Sequence, residues 1–147
     1  MRSIVFFVLL FACASSYAQT TFILIRHAEK EATGTDPNLT KEGEERAKKL
    51  VSMLEKQHVD EIYSTNFNRT KNTVKPLAEA KGLQVKTYDK QPDVANLKGT
   101  IVIVGHSNTI PALANQLIGK DQFKNFDDTD FGNILIIKDG SVTHLRY

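Results

Sequence analysis

The sequence has few of the residues that mark an unusual class of protein. Its 147 residues include one Cys, no Trp, 4 Pro and 8 Gly. A single Cys excludes a disulfide-stabilised scaffold, and the modest Gly and Pro contents exclude collagen-like and low-complexity chains. A net charge of only +2 gives no reason to expect a nucleic acid or an anionic membrane as partner. Any binding specificity must therefore arise from a local site in what the length predicts to be a single domain.

Long apolar runs are also scarce, and the one that exists lies near the N-terminus. Arg2 precedes an unbroken apolar run from Ile4 to Ala14, and Ser16-Tyr17-Ala18 has the small-x-small pattern that signal peptidases cleave. The run is too short to span a bilayer, which takes about 20 apolar residues. We therefore predict a signal peptide over residues 1–18 and an exported domain, periplasmic or secreted, over residues 19–147.

Cys13 leaves a second interpretation of this segment open. Leu10-Phe11-Ala12-Cys13 is similar to a bacterial lipobox, in which the Cys is acylated and anchors the protein to a membrane. Phe11 is bulky for that pattern, so simple export is favoured over lipidation. Cleavage after Ala18 would remove the sole Cys and leave a mature chain without a thiol.

Short strand-like segments recur along the rest of the chain. They are runs of apolar and β-branched residues, and the continuous ones are typical of strands covered on both faces of a sheet. The predicted strands cover residues 21–25, 61–63, 83–88, 101–104, 134–137 and 142–146. Asp139-Gly140 between the last two predicts a tight turn, and therefore an antiparallel hairpin.

Helical segments lie between these strands. Thr40 is a good N-cap for a first helix, and apolar residues at helical spacing continue from there to Leu54. Further helices are predicted over residues 68–81, which Pro76 should kink or split, over 92–98 and over 110–118. The alternation predicts an α/β fold: a three-layer sandwich, with a mostly parallel sheet, helices on both faces and an antiparallel edge hairpin.

Polar residues at the strand ends give the first indication of function. The carboxyl ends of parallel strands meet at one edge of a sheet, where ligands bind in this class of fold. The first strand runs into Arg26 and His27, the strand over residues 101–104 leads to His106, and the strand over 61–63 leads towards Arg69. Two guanidinium groups suit a tetrahedral oxyanion. The sequence therefore predicts a phosphate pocket that contains an imidazole nucleophile.

Three segments carry a resemblance to a known family. The strand ending in Arg26-His27-Ala28, followed by Leu39-Thr40-Lys41-Glu42-Gly43, resembles the opening of the histidine phosphatase superfamily, the phosphoglycerate mutase-like proteins. STNFNRTKNT, residues 64–73, is similar to the family's second-Arg segment, and VGHSNT, residues 104–109, to its second-His motif. The segment between Arg69 and His106 is short, which resembles the compact branch that includes bacterial phosphohistidine phosphatases.

This resemblance implies a phosphatase that needs no metal or cofactor and hydrolyses phosphate monoesters or phosphoramidates. The implied ligand is a small phosphorylated molecule or inorganic phosphate. His27 would be the nucleophile and would become transiently phosphorylated, while Arg26, Arg69 and His106 would hold the phosphoryl oxygens. Water would then attack the phosphohistidine.

The proton donor for the leaving group is not fixed by a motif. Family members that act on alkyl phosphates usually carry an acidic residue after the strand that follows the second-Arg helix. Asp89 is the best candidate in that segment and Asp93 is the reserve. Ser107 and Asn108 are interpreted equally well as helix caps or as phosphate contacts.

Two other interpretations stay open. A phosphomutase is disfavoured because the chain lacks the inserted subdomain that would enclose its intermediate. A phosphate-binding module or an inactive enzyme of the same fold would be indicated by the loss of His27 or His106, and both are present. The acidic run of Asp127, Asp128 and Asp130 is interpreted as a solvated loop rather than a metal site, because it lacks the Gly and the terminal Glu of an EF-hand calcium-binding loop.

Overall fold

The computed structural model describes residues 19–147, so the predicted signal peptide and Cys13 lie outside the described residues. Within 19–147, one six-stranded sheet carries three helices. The strands are β1 (Thr21–Arg26), β2 (Glu61–Thr65), β3 (Val85–Tyr88), β4 (Thr100–Gly105), β5 (Asn133–Lys138) and β6 (Ser141–Arg146). The helices are α1 (Lys41–Met53), α2 (Asn68–Lys81) and α3 (Thr109–Ile118). None of these three helices is long and apolar enough to cross a membrane.

The sheet has the strand order β3-β2-β4-β1-β5-β6. The first four strands are parallel, β5 runs antiparallel to β1, and β6 forms a hairpin with β5. The predicted mostly parallel α/β sheet with an antiparallel edge hairpin is therefore confirmed. In the central pair, Arg26 of β1 lies opposite Gly105 of β4, so His27 and His106 leave neighbouring strands side by side.

Two apolar layers hold the central strands in place. Ile23 of β1 packs in the layer that includes Leu50 of α1 and Leu77 of α2, whereas Leu24 packs in the layer that includes Ile110 of α3. All five side chains are at most 1% exposed, and burying an aliphatic side chain of this size contributes about 1.5–3 kcal/mol to stability. The ends of β1 and β4 are therefore a rigid base for the residues that follow them.

The start of α1 is docked on the backbone just after His27. The Thr40 hydroxyl accepts a hydrogen bond from the Gly43 N–H (3.1 Å), and the Thr40 N–H donates to the Glu29 carbonyl (3.0 Å). A Cβ atom at Gly43 would clash with that same carbonyl oxygen. The Leu-Thr-x-x-Gly pattern therefore has a physical cause: Thr40 caps the helix and Gly43 allows its close approach.

Two of the helix predictions need correction. α2 is a single continuous helix through Pro76, so the predicted split does not occur. Pro76 removes the helical hydrogen bond to the Asn72 carbonyl, but both residues line an open surface groove where water can replace the lost donor. The helix predicted over residues 92–98 is wrong, because the Asp93 carboxylate accepts from the Ala95 N–H (3.2 Å) and stabilises a turn instead.

Candidate active site

His27 is the first residue after β1, and it is only 4% exposed. Its backbone N–H donates to the Gly105 carbonyl (3.0 Å), which continues the β1–β4 pairing by one hydrogen bond. Its Nδ1 lies 2.8 Å from the Ala28 carbonyl oxygen. Because a carbonyl oxygen only accepts, Nδ1 carries the proton and Nε2 keeps its lone pair. This is the tautomer that a nucleophilic imidazole requires.

Thr73 of α2 anchors the segment that follows His27. The Ala28 N–H donates to the Thr73 hydroxyl oxygen (2.9 Å), and the Thr73 hydroxyl donates to the Arg69 carbonyl (2.7 Å). Thr73 is fully buried. One side chain therefore ties the loop after His27 to the first turn of α2.

His106 is oriented by two threonine hydroxyls that the sequence analysis did not identify. Its Nε2 lies 3.0 Å from the Thr65 hydroxyl oxygen, and the Thr65 hydroxyl donates to that of Thr70 (2.9 Å). Thr70 in turn donates to the Thr65 carbonyl (2.9 Å). Because the Thr65 proton is directed to Thr70, His106 must donate from Nε2, and its Nδ1 keeps a lone pair.

Arg69, the second residue of α2, is held by contacts on several sides. Its Nη1 lies 3.7 Å from the Asp36 carboxylate, and its Nη2 lies 3.5 Å from His106 Nδ1. The guanidinium carbon is 4.3 Å from the centroid of the Phe67 ring. Asp36 also accepts from the Asn68 N–H (2.9 Å), so the loop before α1 holds the start of α2.

The Arg26 side chain forms hydrogen bonds to the loop that precedes β5. Its guanidinium donates to three backbone carbonyls, those of Asp127, Asp128 (2.7 Å) and Asp130 (2.8 Å), and lies 4.5 Å from the centroid of the Phe131 ring. Its Nε is the one buried side-chain nitrogen or oxygen within residues 19–147 that has no hydrogen-bond partner. Leaving a buried donor unpaired costs free energy, so this Nε is an unfavourable feature of the site.

These side chains meet in a cavity of about 520 Å³. The rings of His27 and His106 are 5.5 Å apart between centroids. The cavity is lined by Arg26, His27, Lys30, Arg69, His106, Ser107, Asn108, Asp128, Thr129 and Phe131. The structure thus brings together Arg26, His27, Arg69, His106, Ser107 and Asn108 from the predicted set.

Two predicted residues do not reach this cavity. Asp89 and Asp93 are exposed, and neither is among the described residues that line it. Asp128 is the one carboxylate among those lining residues, and it belongs to the segment that the sequence analysis interpreted as a solvated loop. Within residues 19–147, no three His, Cys, Asp or Glu side chains come close enough together to hold a metal ion.

The helix-cap interpretation of Ser107 and Asn108 is not supported by a capping bond. Asn108 is the N-cap residue of α3, but its side chain makes no capping hydrogen bond within the described residues. The Thr109 hydroxyl oxygen accepts from the His106 N–H (2.9 Å) and so ties the first residue of α3 to the backbone of His106. Both Ser107 and Asn108 line the cavity.

The surroundings keep both imidazoles neutral. Burial lowers the pKa of His27 to about 4, and the nearby charges of Arg69 and Arg26 act in the same direction. Burial and the same two arginines lower the pKa of His106 to about 4 as well. At neutral pH the His27 Nε2 lone pair is therefore available without loss of a proton.

Comparison with curated sequences finds one relative with a described activity. The chain is 40% identical over 75 residues to phosphoserine phosphatase 1 of Hydrogenobacter thermophilus, which corresponds to 46% of this chain and 36% of the relative. The chain therefore spans about a third of the length of the curated relative that it matches.

Comparison with solved structures finds the same fold at low sequence identity. A proposed phosphohistidine phosphatase, SixA, of Agrobacterium tumefaciens matches with a TM-score of 0.70 and 17% identity, over 87% of this chain and 98% of that one. A mycobacterial glucosyl-3-phosphoglycerate phosphatase in complex with inorganic phosphate matches with a TM-score of 0.62 and 13% identity, over 86% and 95% of the two chains.

The family itself is identified at the level of sequence. Residues 22–95, which include Arg26, His27 and Arg69, match the histidine phosphatase superfamily (branch 1), and this segment is half of the chain. The resemblance carried by the sequence motifs is thereby confirmed. The chain belongs to the histidine phosphatase superfamily, in its branch 1.

Proposed function

We propose that this protein is a phosphatase that transfers the phosphoryl group of its substrate to His27 and then to water. The observation that carries this proposal is the arrangement around His27. Its Nε2 lone pair is free, and it lies in one cavity with the guanidinium groups of Arg26 and Arg69. Membership of the histidine phosphatase superfamily and the similarity to a phosphoserine phosphatase support the same activity.

The two chemical steps follow from this arrangement. His27 Nε2 attacks phosphorus, a P–N bond forms, and the bond from phosphorus to the leaving oxygen or nitrogen breaks with its electron pair on the leaving group. The Nδ1–H, bonded to the Ala28 carbonyl, stabilises the positive charge that develops on the imidazole. Water then attacks the phosphohistidine, the P–N bond breaks, and inorganic phosphate is released together with neutral His27.

Arg26, Arg69 and His106 are proposed to bind the phosphoryl oxygens during both steps. The guanidinium groups of Arg26 and Arg69 both line the cavity and are the proposed donors for the equatorial oxygens, on which charge accumulates in the transition state. A bound oxyanion also favours the charged form of His106, so phosphate binding should raise the pKa of this imidazole above its value of about 4.

Protonation of the leaving group is a separate matter. The role of Asp89 as proton donor stays a prediction, because the structure does not place it in the cavity. Replacing Asp89 and Asp128 by Asn, one at a time, tests which carboxylate assists an alkyl phosphate. A loss confined to Asp89→Asn would restore the sequence-based assignment, whereas a loss confined to Asp128→Asn would transfer the role to the loop before β5.

The proposed activity can be tested with purified protein of residues 19–147 and an aryl phosphate, in the presence of EDTA. We expect His27→Ala to lower turnover by at least about 1,000-fold, since the nucleophile is removed. His58→Ala is the matched control, because His58 is exposed and pairs only with Asp60 on the surface. Full turnover in His27→Ala, or none in folded wild-type protein, would contradict the proposal; loss of turnover with EDTA would contradict its metal-independent form.

Export is proposed on the sequence pattern of residues 1–18 alone. Expression of the full chain in a bacterium, followed by sequencing of the mature N-terminus, tests it. Cleavage after Ala18 is the expected result, and a Cys13→Ser variant should be processed in the same way. A lipid-modified N-terminal Cys13 would instead establish a membrane-anchored lipoprotein.

A further inference from the structure

We infer that Phe67 is a specificity-determining residue that accepts a planar, aromatic leaving group at the rim of the cavity. This inference rests on the proposed function and names the class of substrate that the site would favour. The class comprises phosphate joined to an aromatic ring, either through oxygen, as in an aryl ester, or through nitrogen, as in a phosphorylated imidazole.

The first observation is the position of the Phe67 ring. Phe67 is 39% exposed, and it contacts two residues that line the cavity. The guanidinium carbon of Arg69 lies 4.3 Å from its ring centroid, and the ring of His106 meets it edge-on at 5.3 Å. The ring is therefore in contact with two groups that are proposed to bind the phosphoryl oxygens.

The second observation is that Phe67 occupies a position where helix stability favours a different residue. It is the N-cap of α2, where Ser, Thr, Asp and Asn are preferred, and its side chain makes no capping hydrogen bond within residues 19–147. The capping is supplied from outside the helix by Asp36, whose carboxylate accepts from the Asn68 N–H at 2.9 Å. The N-cap position is thus free to carry an aromatic ring at the site.

The third observation concerns the departure of the leaving group. Asp89 and Asp93 lie outside the cavity, so no carboxylate from the segment after β3 is positioned to protonate a departing alkoxide, and the one carboxylate that lines the cavity, Asp128, is exposed. Aryl oxide and imidazole are much weaker bases than an alkoxide and can leave with less assistance. Both are also flat rings, which can pack against an exposed aromatic side chain. The low basicity of these leaving groups and the exposed ring of Phe67 therefore favour the same class of substrate.

The inference can be tested with three substrates that share the phosphoryl group: phenyl phosphate, phosphoimidazole, and an alkyl phosphate with an electron-poor alcohol such as trifluoroethanol. We expect Phe67→Leu to lower kcat/KM about 10-fold for the two ring substrates and less than about 2-fold for the alkyl phosphate, because a 10-fold loss corresponds to about 1.4 kcal/mol, which is within the range of an aromatic contact. Phe67→Tyr should keep the ring preference. Leu145→Ala, at an equally exposed residue of β6, is the control.

A binding measurement keeps the test independent of turnover. Phenylphosphonate and methylphosphonate share a phosphonate group that is not hydrolysed, and calorimetry gives their affinities for wild-type protein and for Phe67→Leu. We expect wild-type protein to bind phenylphosphonate more tightly than methylphosphonate. In Phe67→Leu, the two phosphonates should bind with similar affinity. If no substrate is turned over, the proposed phosphatase activity is wrong. The difference in affinity between the two phosphonates would still test whether Phe67 binds an aromatic group.

One result would overturn the inference directly. Suppose that Phe67→Leu lowers kcat/KM for all three substrates, and the affinity for both phosphonates, by the same factor. Phe67 would then act only by positioning Arg69. A ring preference limited to phenyl phosphate or to phosphoimidazole would identify which of the two sources the rim accepts.

Discussion

His27 and His106 carry their protons on different ring nitrogens, and each assignment depends on a neighbour. The Ala28 carbonyl fixes Nδ1–H on His27, whereas the Thr65 hydroxyl fixes Nε2–H on His106. The motifs identified both imidazoles because each follows a buried strand. They did not reveal the proton positions, since these depend on a carbonyl and a hydroxyl that only the folded chain brings within reach.

The lowered histidine pKa values make a prediction about stability. In the unfolded chain both imidazoles take up protons near pH 6.5, while in the folded chain they resist protonation until about pH 4. The unfolded state therefore binds more protons in this window, and the free energy of unfolding should fall as the pH drops from about 6.5 towards 4. The expected loss is a few kcal/mol, measured by urea unfolding at each pH.

A double variant provides the control for this prediction. His27→Asn with His106→Asn removes both groups, so its free energy of unfolding should change little between pH 6.5 and 5, before the carboxylates titrate. Parallel pH profiles for the wild type and the double variant would show that the buried imidazoles do not cause the loss.

At the scale of elements, the loop from Asp127 to Gly132 is the part of the site that sequence patterns missed. It is held at one end by the Arg26 guanidinium and at the other by Gly132, which has a φ of +80°. A Cβ atom at Gly132 would lie 2.6 Å from Arg46 Nη1 and 2.8 Å from the Tyr147 carbonyl oxygen. The loop carries Asp128 and Phe131 into the cavity because these two anchors fix its path.

Gly132→Ala should therefore destabilise the protein more than an equivalent change elsewhere. Gly140→Ala is the matched control, because Gly140 has a φ of +71° but open space where the Cβ would lie. We expect the control to lose about 1 kcal/mol from backbone strain alone, and Gly132→Ala to lose about 2 kcal/mol or more. The Gly132 variant should also bind phosphate more weakly in a competition assay. Equal losses of stability in the two variants would show that the close contacts of Gly132 do not hold the end of this loop.

The elements that sequence patterns did predict share a simple local cause. β1 and β4 are continuous apolar runs buried on both faces, and α1 combines the Thr40 cap with an apolar stripe, so pattern and environment agree. The helix predicted over residues 92–98 does not form, because the hydrogen bond from the Ala95 N–H to the Asp93 carboxylate competes with it. The placement of Asp89 outside the cavity depends on the path of the chain after β3, which no local pattern specifies.

At the scale of the whole molecule, one polar network joins distant parts of the chain beneath the site. Arg46 of α1 forms an ion pair with Glu29 (2.6 Å) and also donates to the Tyr147 carbonyl. The Tyr147 side chain is 2% exposed, and its hydroxyl donates to the Arg26 carbonyl (2.9 Å). Arg26, the residue next to the proposed nucleophile, is thus linked to a residue 121 positions away along the chain.

Substitutions of Tyr147 should separate the hydrogen bond from the packing. Tyr147→Phe removes only the bond to the Arg26 carbonyl and should cost about 1 kcal/mol. Tyr147→Ala also leaves a cavity in the layer beside Ile25 and should cost about 3–5 kcal/mol. Chemical unfolding measures both, and a loss in Tyr147→Phe as large as that in Tyr147→Ala would show that the network, not the packing, is dominant.

The cavity is open to solvent, since Lys30, Asn108, Asp128 and Thr129 line it and are all exposed. This openness bears on the fate of the phosphorylated enzyme. The phosphoryl group of the phosphohistidine proposed at His27 would lie in this open cavity, although His27 itself is only 4% exposed, so small alcohols such as glycerol should compete with water for it in proportion to their concentration. The ratio of phosphorylated alcohol to inorganic phosphate among the products therefore reports how far the nucleophile is shielded.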